Sequence, residues 1–198
     1  MEHYRSLDDV RLDGAWVSIG TYDGVHLGHQ AVLRPMAAAA HAAGAPAVVV
    51  TFFPHPVVTL RGVTAPLTLT PPDERARLLG ELGIDVVVTL TFDRALAALP
   101  AGDFMARVNA ALGLRELWEG NGFALGHNRQ GDIPTLRAIG EALGYRVRVT
   151  DEVRDVGGVR ISSSQIRERL RQGDLRGVDE SRLPGHRPAP APQIRHVY

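Results

Sequence analysis

The amino-acid sequence predicts a doubly wound α/β fold built on a five-stranded parallel sheet. Short runs rich in β-branched residues alternate with longer segments of helical periodicity, and Gly or Pro residues separate the two kinds of segment. This alternation is typical of parallel sheets whose helices cover both faces. At 198 residues the chain is long enough for one domain with a substantial core.

The predicted strands are short apolar runs, which lie at residues 15–19, 47–52, 85–90, 116–118 and 145–149. The predicted helices lie between them, at residues 28–43, 72–82, 102–112 and 133–143. Pro35 falls inside the first helical segment and is expected to kink it or to delay its start. Because the carboxyl ends of parallel strands meet at one edge of the sheet, the segments that follow the strands are expected to form the ligand site.

The pattern changes after residue 149. Residues 151–161 predict a hairpin with Gly157 and Gly158 at its turn. A helix that begins with serines is expected to end near Gly173, and residues 174–183 are expected to add a last turn. Residues 186–198 are rich in Pro and Ala, so we expect a domain over residues 1–185 followed by a linker or disordered tail.

The composition excludes several classes of site. The 22 acidic and 22 basic residues give no net charge, so neither nucleic acid nor a membrane surface is expected as a partner. The chain has no cysteine, and all its basic residues are arginine, which excludes thiolate chemistry and the lysine-dependent Walker phosphate loop. No signal peptide or membrane span is recognisable, which predicts a soluble, cytoplasmic protein.

The segment GTYDGVHLGHQ, which begins at Gly20, follows the first predicted strand. His26 and His29 are three residues apart, so they share one face of a first helical turn. Imidazoles beside the positive end of a helix suit a polyphosphate. Gly20 and Gly24 permit a tight turn, and Gly28 would let a ligand approach the backbone. The pattern favours a phosphate site over two ordinary polar residues in a helical turn.

A second basic and hydroxyl-rich segment is RISSSQIR. Ser162, Ser163 and Ser164 offer hydroxyls and backbone N–H groups at a helix start. Arg160 and Arg167 flank them with charge suited to phosphate oxygens. On its own the segment is more typical of a capped helix with a solvated basic face, so its assignment depends on the first motif.

Two further residues are ambiguous by themselves. His55 lies between Pro54 and Pro56 just after the second predicted strand, in a loop that the prolines stiffen. It is either a ligand contact or a surface histidine in a rigid turn. Arg129, in the segment HNRQGD, is either a contact to a ligand phosphate or a plain surface arginine.

Together these segments resemble a known family. The H-x-G-H spacing is similar to the signature of the nucleotidyltransferase superfamily, and GTYDGVHLGHQ resembles the FMN adenylyltransferase domain of bacterial FAD synthetases, the bifunctional riboflavin kinase/FMN adenylyltransferases. The resemblance continues over about residues 14–185, through TFFPHP, LTPPDERARLLGELGID, FDRALAALPAGDF, RQGD and RISSSQIRERLRQGD. It implies a Rossmann-like nucleotidyltransferase fold and transfer of AMP from ATP to FMN, which gives FAD and pyrophosphate.

The motifs and the resemblance assign roles to individual residues. The residues implied in catalysis are His26, His29, Ser163 and Arg167. The residues implied in ATP binding are Gly20, Thr21, Tyr22, Asp23, Gly24, Gly28, Arg160, Ser162, Ser163, Ser164 and Arg167. The residues implied in flavin binding are Phe52, Pro54, His55, Pro56, Asn121, Phe123 and Arg129. Mg²⁺ is expected as a cofactor held mainly by the ATP phosphates, and Asp23 either assists it or only shapes the turn.

Departures from the family pattern keep alternatives open. Phe53 stands where the family usually has an acid, Asn121 and Gly122 replace an acid and an Asp or Asn, and Leu125 replaces an aromatic. A flavin- or nucleotide-binding module that has lost turnover is therefore one alternative, and a nucleotidyltransferase with another phosphorylated acceptor is a second. The riboflavin kinase domain is expected to be absent, in which case a separate kinase is the expected source of FMN.

Overall fold

The computed structural model describes residues 1–62, 68–151, 161–174 and 177. The strands in this part of the chain are β1 (Glu2–Tyr4), β2 (Trp16–Ile19), β3 (Ala47–Phe53), β4 (Val86–Thr91), β5 (Glu116–Gly120), β6 (Ala124–Leu125), β7 (Gly131–Asp132) and β8 (Arg146–Thr150). The helices are α1 (Leu27–Ala42), α2 (Pro56–Arg61), α3 (Pro72–Gly80), α4 (Arg94–Ala98), α5 (Ala101–Leu112), α6 (Ile133–Leu143) and α7 (Ser163–Gln172).

The central sheet is parallel and doubly wound, as predicted. Its strand order is β1-β4-β3-β2-β5-β8, and every neighbouring pair is parallel. The chain steps outwards from β2 through β3 to β4 on one side and continues from β5 to β8 on the other. The strand order therefore reverses between β2 and β5, which is where α/β sheets of this kind bind ligands.

The sheet has six strands among the described residues, and the predicted number of five was wrong. The strand that the sequence analysis missed is β1, which pairs with β4 at the edge of the sheet. Its three residues, EHY, are exposed or half-buried, so they lack the apolar run that marks the other strands. The five predicted strands are all present, with ends within two residues of the expected ones.

Both faces of the sheet are buried under helices. In β3, Val48 and Val50 point to a core formed with α5 and α6, whereas Val49 points to a core formed with α1 and α3. All three valines are fully buried, which explains why this strand is a continuous apolar run and not an alternating one. The strongest sequence signal for a strand thus comes from the middle of the sheet.

Several local predictions need correction or lie outside the described residues. Pro35 does not delay α1, which begins at Leu27, one residue before the predicted start. The short helices α2 and α4 were not predicted, because five or six residues are too few to show a helical period. The Gly157–Gly158 hairpin, the position of Arg160 and the tail 186–198 lie outside the described residues. No described helix is long and apolar enough to cross a membrane.

Candidate active site

The site is built on the loop after β2 and the first turn of α1. His26 is the N-cap residue of α1, and His29 lies in its first turn. Their imidazole rings stack with centroids 3.5 Å apart and planes 22° from parallel. The prediction that the two histidines share one face is confirmed.

His29 lies in a setting that keeps its imidazole neutral. Burial lowers its pKa well below the usual value, and the neighbouring His26 and the Arg75 charge lower that pKa further. Its Nδ1 atom is buried and has no hydrogen-bond partner among the described residues. The edge of the Tyr22 ring packs against it, with centroids 5.1 Å apart. His29 is therefore held in place by ring contacts.

The backbone of the loop is bent into the left-handed region at three positions. Tyr22 has φ 46°, Val25 has φ 41° and Gly24 has φ 85°. The first two are strained for residues with a side chain, and such strain is often found at functional loops. Tyr22 is 5% exposed, and its hydroxyl lies 2.5 Å from the Ser18 hydroxyl. Its ring therefore supports His29 from within the core and does not face a ligand.

The glycines of the loop serve protein packing. A Cβ on Gly28 would lie 3.2 Å from the Ile161 carbonyl oxygen, so this glycine admits the segment that leads into α7. The His26 ring lies equally close to that position, at 3.1 Å, and the approach of a ligand to the Gly28 backbone stays a prediction. A Cβ on Gly20 would lie 3.0 Å from the Tyr22 ring, and one on Gly24 would meet the Leu69 side chain at 2.9 Å.

The carboxylate of Asp23 connects the loop after β2 to three other segments of the chain. It is 1% exposed and accepts hydrogen bonds from the backbone N–H groups of Leu69, at 3.0 Å, and Thr70, at 2.9 Å. The Arg167 guanidinium forms an ion pair with it, and Arg75 Nη2 lies 3.6 Å away. These bonds tie Asp23 to the turn, which agrees with one of its two predicted roles, and assistance to Mg²⁺ stays a prediction.

The start of α7 meets this loop, as the sequence analysis predicted. Ser162 caps the helix, and Ser163 Oγ donates a hydrogen bond to the Asp23 carbonyl oxygen at 2.8 Å. Arg167, one turn later, is 7% exposed and pairs with the Asp23 carboxylate. Ser164 is exposed. Two segments about 140 residues apart in sequence therefore form one surface, with the helix N-terminus beside the stacked histidines.

Arg75, which the sequence analysis missed, is buried in the same region. Its side chain is 2% exposed and donates to Thr51 Oγ1 and the Phe52 carbonyl, both at 3.2 Å, and to the Thr70 carbonyl at 3.0 Å. Its Nε atom is buried without a hydrogen-bond partner among the described residues. One signal was available: Arg75 lies three residues before Leu78, on the face of α3 that is otherwise apolar.

The loop after β3 lies next to this cluster. His55 is the N-cap residue of α2, and its Nδ1 accepts a hydrogen bond from the Val57 N–H at 3.2 Å. Burial lowers the pKa of His55, and the Arg167 charge lowers it further. Thr51 Oγ1 donates to the Thr21 carbonyl at 3.0 Å, so the end of β3 is tied to the loop after β2.

The other predicted flavin residues of this loop lie in different settings. The bond between Phe53 and Pro54 is cis, and Pro56 is the first residue of α2. Phe52 packs its ring against Phe92, with centroids 5.5 Å apart, so it is partly committed to an aromatic cluster. Phe53, at the family's acidic position, is 44% exposed.

The remaining predicted flavin residues follow β5. Asn121, Phe123 and Arg129 line one open cavity of about 540 Å³, together with the start of α6. Arg129 Nη2 donates to the Gly122 carbonyl at 3.3 Å and is otherwise exposed. Because β2 lies between β3 and β5, this cavity and the His55 loop are on opposite sides of the histidine loop.

The described side chains do not form a preassembled metal cluster. They contain no group of three or more His, Asp or Glu side chains that could hold a metal ion. The Asp23 carboxylate, in the histidine loop, accepts hydrogen bonds from two backbone N–H groups and pairs with a guanidinium. A metal ion at this site would need oxygen ligands that come from the substrate or from water.

Comparisons with known proteins agree with this geometry. The family model described as FAD synthetase matches residues 9–165. A bifunctional riboflavin kinase/FMN adenylyltransferase of Escherichia coli K12 is 35% identical over 91% of this chain and 57% of its own length. A putative bifunctional riboflavin kinase/FMN adenylyltransferase of Geobacillus thermodenitrificans is 34% identical over 88% of this chain and 92% of its own length.

Among solved structures, a Streptococcus pneumoniae chain described as a macrolide-efflux protein has the same fold. Its TM-score is 0.78 at 26% identity, over 90% of this chain and 58% of that chain. The chain spans little more than half the length of the Escherichia coli relative and of this structure. The family match covers most of the chain, and it includes the histidine loop and the start of α7. The chain belongs to the FAD synthetase family.

Proposed function

We propose that the protein is an FMN adenylyltransferase, which transfers AMP from ATP to FMN and releases FAD and pyrophosphate. The observation that carries the proposal is the junction at Asp23, where the stacked His26 and His29 meet the N-terminus of α7. Membership of the FAD synthetase family and relatives named as FMN adenylyltransferases support the choice of substrates.

The triphosphate of ATP would lie between the starts of α1 and α7. The backbone N–H groups of Ser163 and Ser164, in the first turn of α7, form the positive end of that helix. Phosphate oxygens bind favourably there. Arg167 would add a fixed positive charge. The Ser163 hydroxyl already donates to Asp23, so this serine acts on the nucleotide through its N–H group and through the loop it holds.

The reaction needs alignment and charge stabilisation. A phosphate oxygen of FMN attacks the α-phosphorus of ATP in line, a new P–O bond forms, and the bond to the β-phosphate oxygen breaks, so that pyrophosphate leaves with the electron pair. No covalent enzyme intermediate is involved. His26 and His29 would donate hydrogen bonds to the phosphates and stabilise the charge that develops on the leaving group.

The neutral state of His29 has a consequence for ATP binding. A bound polyphosphate raises the pKa of an adjacent imidazole, because the anion stabilises the protonated form. Since burial keeps the pKa of His29 low in the free protein, ATP binding would take up a proton as the pH falls. We expect the affinity for ATP to rise as the pH falls towards the raised pKa of His29 in the complex, which binding titrations at several pH values would measure.

We infer that any Mg²⁺ used in the reaction is carried by the ATP phosphates and water, because the described side chains do not supply its ligands. We also propose that residues 1–185 act as the adenylyltransferase unit and that a riboflavin kinase supplies FMN. Small-molecule nucleotides would be its partners, and a cytoplasmic location would match their supply.

The direct test is to incubate the purified protein with ATP, FMN and Mg²⁺ and to separate the flavins by chromatography. We expect FAD and pyrophosphate in equal amounts. If FMN and ATP stay unchanged while both bind, the proposed activity is wrong.

A second candidate function rests on Phe53. This exposed apolar side chain stands in the flavin-side loop at a position where the family usually has an acid. It favours a flavin- or nucleotide-binding module without turnover, or a transferase that uses another phosphorylated acceptor. Tight FMN binding without FAD would support the first, and pyrophosphate release with a different acceptor in a panel would support the second.

A further inference from the structure

Arg75 joins three segments of the chain beneath the candidate site. From the first turn of α3, its guanidinium donates to the end of β3 at Thr51 and Phe52 and to the Thr70 carbonyl. It also lies 3.6 Å from the carboxylate of Asp23, in the loop after β2. In sequence, Thr51 lies 24 residues from Arg75, Thr70 lies 5 residues away and Asp23 lies 52 residues away. One side chain therefore fixes the relative positions of three segments.

The contacts use a property that arginine has and lysine lacks. A guanidinium presents donors in a fixed planar fork, whereas an ammonium is a compact point charge on a flexible stem. Arg75 uses two nitrogens for three acceptors, two at the end of β3 and one at Thr70. A lysine could keep the charge but not the planar fork that spans these two segments.

Stability alone is a weak explanation for this residue. Taking a guanidinium out of water is costly, and replacing a buried charge and its partner by well-packed apolar groups is often neutral or stabilising. Arg75 is 2% exposed, and its Nε has no partner among the described residues. Its place at the junction of three loops points to a role in their geometry.

Both sides of the proposed site depend on those loops. The end of β3, held at Phe52, leads directly into the loop with His55. The loop after β2, held at Asp23, carries His26 and His29 and receives Arg167. A shift of either loop would move substrate-binding groups by fractions of an ångström, and misplacement by about 1 Å can cost about 10²-fold in rate.

Resting on the proposed adenylyl transfer, we propose that Arg75 is a positioning residue that holds the ATP-side loop and the flavin-side loop in register. It does not touch substrate. It acts through Asp23 on the nucleotide side and through Thr51 and Phe52 on the flavin side. Loss of the Arg75 guanidinium therefore weakens the binding of ATP and of FMN together. Loss of a residue that contacts one substrate weakens the binding of that substrate alone.

The test compares Arg75→Lys and Arg75→Met with Arg77→Met on the same helix. Arg77 is half-exposed and pairs with Glu74 and Glu81 on the helix surface, so it controls for the loss of an arginine from α3. We expect Arg75→Lys to lower kcat by about 10-fold to 10²-fold and to raise the KM of both ATP and FMN. Arg77→Met is expected to keep the wild-type values.

The pH dependence of kcat/KM distinguishes the effect of the Arg75 charge from the effect of its geometry. The titratable and charged groups that face His29 are His26 at the N-cap of α1, Arg75 from α3 and Tyr22 from the loop. Behind them lie Glu119 of β5, beside Tyr22, and the Asp23–Arg167 pair, beside Arg75. Arg75→Met removes a positive charge, so the limb of the kcat/KM profile that follows His29 should move to higher pH. Arg75→Lys keeps the charge, and its limb should stay at the wild-type pH although turnover falls.

Three results would overturn the proposal: wild-type KM and kcat in Arg75→Lys, a rise in only one KM, or equal losses in the Arg77 control. If Arg75→Met fails to fold, the lysine variant alone still decides. Binding is also measured without turnover, by FMN fluorescence quenching and by titration with a non-hydrolysable ATP analogue. If the wild-type protein binds both ligands but forms no FAD, the proposed function fails while the Arg75 proposal remains open to the binding test.

Discussion

The two sides of β2 are built in different ways. On the histidine side, the side chains of Asp23 and Arg75 are almost completely buried, and the contact from Asp23 to Arg167 spans 144 residues of sequence. On the β5 side, Asn121 and Arg129 are exposed, and the contact from Arg129 to Gly122 spans seven residues. One region is fixed by buried side-chain contacts, whereas the other is held by backbone hydrogen bonds, from Asn121 N–H to the Thr150 carbonyl and from His127 N–H to the Leu99 carbonyl, and leaves its polar side chains exposed.

The difference indicates how the work of binding is divided. A buried, multiply bonded loop keeps its shape before the ligand arrives, so little conformational entropy is lost on binding. Exposed side chains can change rotamers around a ligand. We therefore expect the histidine loop and the adjoining His55 loop to be preorganised, and the predicted flavin residues beyond β5 to adapt when FMN binds.

The largest effect should follow from Asp23→Asn. This change leaves the Arg167 guanidinium and its neighbour Arg75 without their shared buried countercharge. Breaking one partner of such a buried pair typically costs about 3–5 kcal/mol of unfolding free energy. Urea unfolding would measure it.

The matched control is Asp132→Asn, on the other side of β2. Asp132 caps α6 by accepting from the Thr135 N–H, and asparagine caps a helix about as well as aspartate. Its urea midpoint should stay close to that of the wild type. Equal losses in the two variants would contradict the comparison between the two regions.

The next effect is on turnover. His29→Ala should lower kcat for FAD formation by about 10²-fold to 10³-fold, because a preorganised donor to the developing charge is lost. His41→Ala, at the other end of α1, is the control, since His41 is exposed and pairs with Asp85 away from the loop. If both variants keep wild-type turnover, His29 has no role in the transition state.

A smaller effect concerns β5, where the two regions meet. Burial raises the pKa of Glu119 well above its usual value, so the folded protein binds more protons there than the unfolded chain does. Stability should therefore fall as the pH rises above about 4.5 towards the raised pKa. Glu119→Gln keeps an oxygen for the Ile19 N–H and should be more stable than the wild type at pH 8, with little difference at pH 4.

Glu116→Gln tests the opposite case in the same strand. Glu116 is as buried as Glu119, but it pairs with Arg146 and Arg148 and accepts from the Trp118 indole. Its loss should destabilise the protein by about 1–3 kcal/mol at pH 8. Denaturant midpoints of both variants at the two pH values check the signs. If both glutamine variants change stability in the same direction at pH 8, the distinction between a paired and an unpaired buried carboxyl is wrong.

The smallest effect should come from Arg129→Ala. The side chain is exposed and donates one long hydrogen bond to the Gly122 carbonyl. It therefore contributes little to the free energy of unfolding. We expect an unchanged unfolding midpoint and a rise of less than about fivefold in the KM of FMN, in line with the weak energies of exposed charges. Steady-state kinetics with FMN varied measures it, and a loss as large as that of His29→Ala would show that the β5 side is preorganised too.

The parts of the fold that were predictable have a local signature. The strands at the centre of the sheet are continuous apolar runs because both of their faces are buried, and α6 was predicted with its observed ends because Asp132 and Gly144 cap it. The stacking of His26 on His29 follows from a spacing of three on one helix. In contrast, β1 is too short and too exposed to stand out, although it pairs with β4.

The sequence by itself determined the alternation of strands and helices, the class of the sheet and the placing of His26 and His29 on one face, because these depend on neighbours within one or two helical turns. Only the tertiary structure decided that Asp23 binds the backbone of residues 69 and 70, that Gly28 packs against the segment leading into α7, and that Arg75 lies beside Asp23. Each of these depends on a contact between residues more than 40 positions apart, and no local pattern carries the free energy of such a contact.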